Sequence, residues 1–256
     1  MSESDPRIYV VSGAGGGIGG ATALRLLRAG AGVVGVDISS KRLAAIEEHA
    51  AETPGTFVPC KADLTVEEGA RSAVELAIDR FEVLHGLANI AGGMPNIDLG
   101  GFDIAIEDMS LDYFRATFAL NVDSAFLMAK AAAPHFRERG YGKIVNTASL
   151  AAFSNFDELG NLAYNSAKAA VISLSQALAQ LMGRDGVRCN CVAPGLVFSD
   201  RVMQFVSEGY VARHKLNAAL PELATPEDLA EAMAFFLEPQ SDAITGEVLR
   251  VAAGVR

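Results

Sequence analysis

Residues 10–21 read "VVSGAGGGIGGA", in which a β-branched run passes directly into a glycine-rich stretch. The run predicts the end of a buried strand, and the apolar spacing of three and four in residues 17–30 predicts a helix. A glycine-rich turn at this junction brings backbone N–H groups and the positive end of the helix dipole together, which suits the pyrophosphate of a dinucleotide. No Gly-Lys-Ser/Thr ending follows, so the stretch is not a P-loop.

Two glycine registers fit this stretch. Gly15, Gly17 and Gly20 match G-x-G-x-x-G, whereas Gly13, Gly17 and Gly19 match G-x-x-x-G-x-G with the first glycine directly after the strand. The second register fits the strand end better. A flexible turn without a ligand is the alternative to both.

An acidic residue stands where a dinucleotide ribose is expected. Asp37 ends the second predicted strand, 20 residues after Gly17, so its carboxylate can accept both hydroxyls of an adenosine ribose and would repel a 2′-phosphate. Ile38 follows it, and Gly16 supplies no cation in the glycine loop. The pattern therefore favours NAD over NADP, with a solvated turn aspartate as the alternative.

Short β-branched runs alternate with helical patterns along the whole chain, which predicts an α/β fold. A doubly wound sheet of the Rossmann type is expected, with seven mainly parallel strands and helices on both faces. The length of 256 residues, without a linker or repeat, predicts a single domain spanning residues 1–256. The predicted strands are 8–12, 32–37, 56–60, 84–90, 143–149, 187–193 and 247–252, and the predicted helices are 17–30, 39–52, 67–80, 112–138, 163–182 and 226–237.

The overall composition limits the possible partners. The formal net charge of −10 argues against nucleic-acid binding, which needs clustered Lys and Arg. The three cysteines, Cys60, Cys189 and Cys191, cannot all pair internally and lack zinc-ligand spacing, so no metal is expected and a reducing cytoplasm fits. The acidic N-terminal stretch is unlike a secretion signal, and no apolar run is long enough to span a membrane, which predicts a soluble protein.

Two regions interrupt the alternation, at residues 92–110 and 194–226. Both follow predicted strands and would lie at the carboxyl edge of the sheet, where ligands bind in such folds, so a substrate pocket is expected between them. Residues 196–223 mix apolar side chains with Arg201, Arg213, His214 and Lys215. This segment predicts either a hydrophobic lid, whose cations could meet an acidic group, or a plain amphipathic helix with a solvated basic face.

Tyr164 and Lys168 lie one helical turn apart, in the stretch "LAYNSAKAAVISLSQAL" at residues 162–178. A tyrosine has a pKa of about 10 and is a poor base at neutral pH, unless a cation favours the phenolate. Residues four apart share a helix face, so Lys168 can stabilise that anion. The pair is then suited to remove a hydroxyl proton while a hydride leaves the neighbouring carbon, and Lys168 could also hold a nicotinamide ribose.

Two more polar residues support this interpretation. Ser149 ends the fifth predicted strand, where its hydroxyl can donate to the substrate oxygen, and Thr147 and Ser154 are weaker candidates for that role. Asn121 interrupts an apolar run, so its buried amide needs a partner, either a backbone group or a proton-carrying water.

Together these motifs resemble the short-chain dehydrogenase/reductase family over essentially the whole chain. The matching segments are "SGAGGGIG" at the cofactor loop, Asp63-Leu64 near the adenine, "NIAG" at residues 89–92, and "NCVAPG" at residues 190–195. The resemblance implies a catalytic set of Asn121, Ser149, Tyr164 and Lys168. It also implies cofactor contacts from Ser12, Gly13, Gly17, Ile18, Gly19, Asp37, Ile38, Asp63, Leu64, Asn89, Ala91, Gly92, Tyr164, Lys168, Pro194, Gly195, Val197 and Ser199.

The activity that this resemblance implies is an NAD(H)-linked interconversion of a secondary alcohol and a ketone, in a homotetramer. An NADH-linked 3-oxoacyl thioester reductase is the main alternative, and a non-catalytic dinucleotide sensor or scaffold is a second. The sequence departs from the family pattern in three places. Ser12 replaces a threonine, Ile90 replaces an asparagine, and Ser149 and Tyr164 are 15 residues apart instead of 13, which predicts a longer loop with Phe153, Asn155 and Phe156 as pocket residues.

Overall fold

A computed structural model describes residues 6–95, 104–153, 161–197 and 206–255. Seven strands form one parallel sheet in the order β3-β2-β1-β4-β5-β6-β7. The predicted Rossmann-type fold is therefore confirmed. The strands are β1 (Ile8–Ser12), β2 (Gly32–Asp37), β3 (Thr56–Lys61), β4 (Gly86–Asn89), β5 (Gly142–Thr147), β6 (Val187–Pro194) and β7 (Val248–Val251).

Helices cover both faces of this sheet, as right-handed crossovers between parallel strands require. One buried cluster joins α1 and α8 to the sheet, for example through Leu27 and Met233, and a second joins α3, α5 and α6 through Val74, Met128 and Met182. The helices are α1 (Gly17–Arg28), α2 (Ser40–Ala50), α3 (Glu67–Phe81), α4 (Leu111–Phe118), α5 (Ser124–Arg139), α6 (Leu162–Met182), α7 (Glu208–Asn217) and α8 (Pro226–Leu237).

The helix predicted for residues 112–138 is not continuous. A π-helical turn, Ala119–Asp123, separates α4 from α5, and Asn121 lies inside it. Such turns insert an extra residue into a helix and are frequent at functional sites. Apolar periodicity did not reveal this turn, because the apolar residues continue on both sides of it.

The strand order reverses between β2-β1 and β4-β5, which opens a crevice at the carboxyl edge of the sheet. The ends of β1 and β4 pair there through Ser12 and Asn89. β5 ends at Thr147, so Ser149, predicted as the last residue of the strand, lies two residues beyond it. In the parts of the chain that the structure describes, no helix combines the length and the apolar character needed to cross a membrane.

His85 precedes β4 at the opposite edge of the sheet and is only 4% exposed. Its Nδ1 accepts a hydrogen bond from the backbone N–H of Ile8 at 2.9 Å, and its Nε2 lies 2.8 Å from Nη2 of Arg139. Burial first, and then the positive charges of Arg139 and Arg7, lower the pKa of His85 to about 4. The imidazole is therefore neutral in the folded protein at neutral pH.

We expect the folded state to lose stability as the pH falls from 6.5 to about 4. The pKa of His85 in the folded protein lies below its value in the unfolded chain, so the unfolded chain binds the proton first as the pH falls. This lowers the free energy of unfolding by about 1–2 kcal/mol at pH 5. Denaturant unfolding at a series of pH values measures this loss. His85→Asn keeps an acceptor near Ile8 but does not titrate. An unchanged pH dependence of stability in that variant would show that His85 does not cause the loss.

Candidate active site

The glycine turn after β1 fits the second of the two registers. Gly13 follows the strand directly with φ of +66°, in the left-handed region that favours glycine, and a Cβ there would lie 2.9 Å from the backbone N of Ala91. A Cβ at Gly19 would overlap the carbonyl oxygen of Gly13. In the other register, a Cβ at Gly20 would meet the flexible end of Ile46. Backbone atoms therefore restrict Gly13 and Gly19 most strongly, whereas at Gly20 the nearest backbone atom, the carbonyl oxygen of Ala14, lies 3.2 Å from the added Cβ.

The N-terminus of α1 lacks a capping side chain. Side chains cap α2, α4, α6, α7 and α8, whereas none caps α1, α3 or α5; at α1 the N-cap is Gly16, which offers no side chain, and the first turn carries no acid. The first N–H groups of this helix, which include those of Gly17 and Ile18, therefore have no capping side chain. With the glycines that keep the turn open, this arrangement fits the pyrophosphate of a dinucleotide.

Asp37 organises the chain at the end of β2. Its Oδ2 accepts a hydrogen bond from the backbone N of Gly15 at 3.1 Å, and its Oδ1 accepts from the backbone N of Ser39 at 2.9 Å. Nη2 of Arg42 also donates to Oδ1 at 2.8 Å. The sequence pointed to no cation that would compensate for a phosphorylated ribose. The structure corrects this, since one turn of α2 carries Arg42 back to the carboxylate.

Ile38, predicted to contact the cofactor beside Asp37, and Asp63 and Leu64, predicted to lie near the adenine, have different surroundings. Ile38 is 63% exposed, an unusual position for a large apolar side chain. Asp63 is exposed and accepts from the backbone N and Oγ1 of Thr65 at 2.9 and 2.7 Å. Leu64 is buried in the core cluster that also contains Val36. Of the three, only Ile38 offers a free apolar surface.

The loop after β4 is tied to the glycine turn. Oγ of Ser12 accepts hydrogen bonds from the backbone N atoms of Ile90 and Ala91 at 2.9 and 3.0 Å. The serine that replaces the expected threonine thus provides its hydroxyl to the backbone. Asn89 is buried and donates from Nδ2 to Oδ1 of Asn146 at 2.8 Å, which links β4 to β5.

Asn121 holds the same loop from the other side. Its Oδ1 accepts from the backbone N of Gly93 at 2.9 Å, and its Nδ2 donates to the carbonyl oxygens of Gly93 at 2.7 Å and Thr117 at 2.8 Å. The sequence left two kinds of partner open for this amide, a backbone group or a water, and the partners in the structure are backbone groups. Both N–H donors of the amide and one lone pair of its oxygen are used, which leaves one lone pair.

Lys168 is 3% exposed, and its Nζ donates to the carbonyl oxygen of Thr147 at 2.7 Å. Burial lowers the pKa of this ammonium to about 8, although the nearby Cys191 acts in the opposite direction. A Cβ added to Gly92 would lie 3.1 Å from Lys168 Nζ and 2.7 Å from Asn121 Oδ1. The predicted residues Gly92, Asn121 and Lys168 therefore meet at one point.

Tyr164 is the third residue of α6, and Lys168 Nζ lies 5.6 Å from the centroid of its ring. Burial raises the pKa of the Tyr164 phenol, and a hydrogen bond with the Ser149 hydroxyl opposes this rise. The Lys168 ammonium donates to the carbonyl of Thr147, and the Ser149 side chain lowers the pKa of Tyr164 against the effect of burial. The expectation that Lys168 also favours the phenolate stays a prediction.

Ser149 precedes the short 3-10 segment Leu150–Phe153, and its Oγ accepts from the backbone N of Ala151 at 3.2 Å. Phe153, predicted to line the pocket, lies under the guanidinium of Arg250, with Cζ 3.9 Å from the ring centroid. The other predicted pocket residues of this loop, Asn155 and Phe156, lie outside the described residues, as does the alternative hydroxyl of Ser154.

The chain after β6 is described as far as Val197. Pro194 ends the strand, Gly195 donates its backbone N–H to the carbonyl of Val251 at 3.1 Å, and Val197 is buried in the core. Ser199, predicted to contact a nicotinamide carboxamide, lies outside the described residues, together with Arg201 and the rest of residues 198–205.

The helix α7 lies in the predicted lid. Arg213 and Lys215 are exposed, and Lys215 pairs with Glu222 at 3.4 Å, whereas Tyr210 and His214 are partly buried with ring centroids 4.2 Å apart. The exposed positions of Arg213 and Lys215 agree with both a lid and an amphipathic surface helix, so both hypotheses remain predictions.

Two buried oxygens near the crevice, Oδ1 of Asn89 and Oγ1 of Thr147, have no hydrogen-bond partner within the described part of the chain. They lie near the carboxyl ends of β4 and β5, beside the atoms that hold Lys168. Unpaired buried oxygens of this kind are rare and mark a place where a ligand or water can donate. Among the described residues, no group of three or more His, Cys, Asp or Glu could hold a metal ion.

Comparisons with known proteins agree with this architecture. A family model described as enoyl-(acyl carrier protein) reductase matches residues 13–256. A probable short-chain type dehydrogenase/reductase of Bradyrhizobium diazoefficiens is 33% identical over 258 residues, which cover 100% of this chain and 89% of that protein.

Two solved structures superimpose closely. A 7α-hydroxysteroid dehydrogenase, complexed with NADH and 7-oxo glycochenodeoxycholic acid, has a TM-score of 0.90 at 28% identity, covering 98% of this chain and 94% of that chain. A 3-oxoacyl-[acyl-carrier protein] reductase from Brucella melitensis has a TM-score of 0.89 at 26% identity, covering 97% and 91%.

These matches define an oxidoreductase of the class that uses a nicotinamide dinucleotide. The chain belongs to the short-chain dehydrogenase/reductase family. The family resemblance predicted from the motifs is thus confirmed.

We expect Gly92→Ala to lower the free energy of unfolding by about 1–3 kcal/mol, because the added Cβ displaces Asn121 Oδ1 and Lys168 Nζ from buried hydrogen bonds. Urea unfolding measures the change. Gly183→Ala is the matched control, since nothing lies within 4 Å of a Cβ built there. Equal losses in the two variants would show that the contacts at Gly92 are not the cause.

Proposed function

We propose that this chain is an NAD(H)-dependent oxidoreductase that interconverts a secondary alcohol and a ketone by hydride transfer, with Tyr164 as the general acid/base. The observation that carries the proposal is that the Tyr164 ring lies 5.6 Å from Nζ of the buried Lys168, which donates to the carbonyl of Thr147 at the carboxyl edge of the sheet. This edge is also where the glycine turn after β1 leaves its N–H groups without a capping side chain.

In this mechanism Tyr164 takes the hydroxyl proton from the alcohol, or returns it to the carbonyl oxygen in the reverse direction. Ser149 has a single hydroxyl proton. Before substrate binds, donating it to Tyr164 favours the phenolate against the effect of burial, and in the complex it can be donated to the substrate oxygen instead. When bound, the nicotinamide supplies the hydride acceptor and a positive charge beside the phenol.

Lys168 and Asn121 act in the same site. With a pKa of about 8, Lys168 carries most of its charge at neutral pH, and its two remaining N–H donors are available for a nicotinamide ribose. Asn121 fixes the backbone of Gly93, so the loop after β4 cannot move into the space that the nicotinamide would take. Both residues are held by hydrogen bonds to backbone atoms.

The remaining predicted contacts place the dinucleotide across the crevice. The first N–H groups of α1 would hold the pyrophosphate. Asp37 and Ile38 would contact the adenosine, and the loops after β4 and β6 would contact the nicotinamide side. Within these groups we assign Ser12, Gly13, Gly17, Ile18, Gly19, Asp63, Leu64, Asn89, Ala91, Gly92, Pro194, Gly195, Val197 and Ser199 to the cofactor.

We predict a preference for NADH over NADPH that depends on Asp37. Its carboxylate repels a 2′-phosphate, while the neighbouring Arg42 partly offsets that charge, so Asp37→Asn should reduce the NADH preference by about tenfold. Dissociation constants from NADH and NADPH fluorescence measure this preference directly. Glu48→Gln, on the exposed side of α2, makes the same change in net charge and should leave the preference unaltered. An equal effect of both variants would point to net charge rather than to Asp37.

Tyr164→Phe should reduce kcat by about 10²–10⁴-fold, the usual contribution of a general acid/base, while the dissociation constant for NADH stays within about twofold. Turnover is followed through NADH absorbance with a panel of secondary alcohols plus NAD and of ketones plus NADH. Retained turnover in this variant would refute Tyr164 as the base. A wild-type chain that binds NADH but converts no member of the panel would favour a sensor or scaffold instead.

A 3-oxoacyl thioester reductase is the second candidate. It is supported by the close superposition on the Brucella melitensis reductase, whereas the hydroxysteroid dehydrogenase supports the alcohol dehydrogenase. Including a 3-oxoacyl thioester in the ketone panel separates the two, because the second candidate requires a clear preference for the thioester with NADH.

We further propose a homotetramer in the cytoplasm, formed by a single domain whose lid spans about residues 196–223. Support comes from the family membership and, for the compartment, from three buried cysteines that form no disulfide.

A further inference from the structure

The N-terminus of the helix that carries Tyr164 is anchored in an unusual way. Asn161 is the N-cap of α6, and its Oδ1 accepts the backbone N–H of Tyr164 at 3.0 Å. Capping residues are normally at the surface, but Asn161 is only 1% exposed. Its Nδ2 donates to Oη of Tyr113 at 2.8 Å. Serine, threonine or aspartate could supply the capping oxygen, but of the common capping residues only asparagine also supplies an amide donor.

Tyr113 lies in the first turn of α4, where Ser110 caps its backbone N at 3.1 Å. The carbonyl of Tyr113 accepts from Oγ1 of the buried Thr117 at 2.8 Å, and the carbonyl of Thr117 accepts from Nδ2 of Asn121 at 2.8 Å. One chain of hydrogen bonds therefore connects the start of α6 with the π-helical turn. Through Asn121 it continues to the loop after β4.

This connection matters because covalent continuity does not fix Tyr164 relative to Ser149. The two residues are 15 positions apart, on separate segments of the chain. The first turn of a helix is also its weakest part, since its N–H groups lack intrahelical acceptors. A cross-link from Asn161 to α4 holds that turn, and with it the phenol, in place.

We propose that Tyr113, acting through Asn161, is a positioning residue that fixes the phenol of Tyr164 against Ser149. The inference rests on the proposed function for its catalytic consequence. Its structural part, the restraint on the first turn of α6, holds whatever the reaction is. A small displacement of a reacting group lowers kcat more than it lowers binding.

Tyr113→Phe removes one oxygen and keeps the ring. We expect kcat to fall by about tenfold while the KM for NAD and the dissociation constant for NADH stay within about twofold. The pH at which kcat/KM is half-maximal should rise, because a displaced Tyr164 loses its hydrogen bond with Ser149. Asn161→Ser keeps the cap but does not reach Tyr113, so it should cause a similar loss. The double variant should be little worse than either single variant, because both remove the same hydrogen bond.

The control is Tyr141→Phe, which removes a hydroxyl that forms hydrogen bonds with Arg7 and Asp242. Tyr141 directly precedes β5, at the edge of the sheet away from the crevice. We expect it to alter the melting temperature and leave kcat unchanged. If Tyr113→Phe behaves like this control, or if its effect adds fully to that of Asn161→Ser, the inference is wrong.

Amide hydrogen exchange tests the restraint without turnover. In Tyr113→Phe the backbone amides of residues 162–165 should exchange about five- to tenfold faster than in the wild type, while those near the end of α6 should not change. Unchanged exchange overturns the inference even in an active enzyme. If the wild type converts no substrate but Tyr113→Phe accelerates this exchange, the proposed function fails and the positioning role of Tyr113 stands.

Discussion

A buried ammonium held by one backbone carbonyl is central to this site. Lys168 is almost fully removed from solvent, and its Nζ meets the carbonyl of Thr147 at the end of β5. Burial of a charge is unfavourable unless hydrogen bonds compensate, so the surrounding chain has to bring oxygen atoms to it and keep side chains away. Gly92 meets the second condition, because a Cβ there would lie 3.1 Å from Nζ. The ring of Tyr164 lies beside this ammonium, with its centroid 5.6 Å from Nζ.

Much of this arrangement could be predicted from the sequence. Parallel strands end at one edge, so Gly13, Asn89 and Ser149 were expected to come together once the strands were assigned, and the glycine register followed from the strand end. Strand and helix ends differ by only a few residues from the prediction. The reason is that burial on both faces makes the strands continuous apolar runs, which sequence patterns report well.

Other features could not be predicted because they depend on contacts between distant segments. Arg42 lies in the first turn of α2, after the Ser39 cap, and its guanidinium reaches back to Asp37 at the end of β2. The bond from Asn161 to Tyr113 spans 48 residues and has no local pattern, although an asparagine three residues before Tyr164 is a recognisable helix cap. The effect of Lys168 on Tyr164 was predicted from helical spacing alone, which does not reveal that the ammonium is directed to a strand carbonyl.

The π-helical turn at Ala119–Asp123 affects how this region can evolve. One extra residue in a helix rotates everything after it by roughly 100° relative to what precedes it. Substitutions on the outer faces of α4 and α5 leave that rotation intact, whereas a one-residue deletion between Thr117 and Ser124 would restore a regular helix and turn the amide of Asn121 away from Gly93. Descendants of this chain can therefore vary the amino acids of this region widely, but the number of residues in it is constrained.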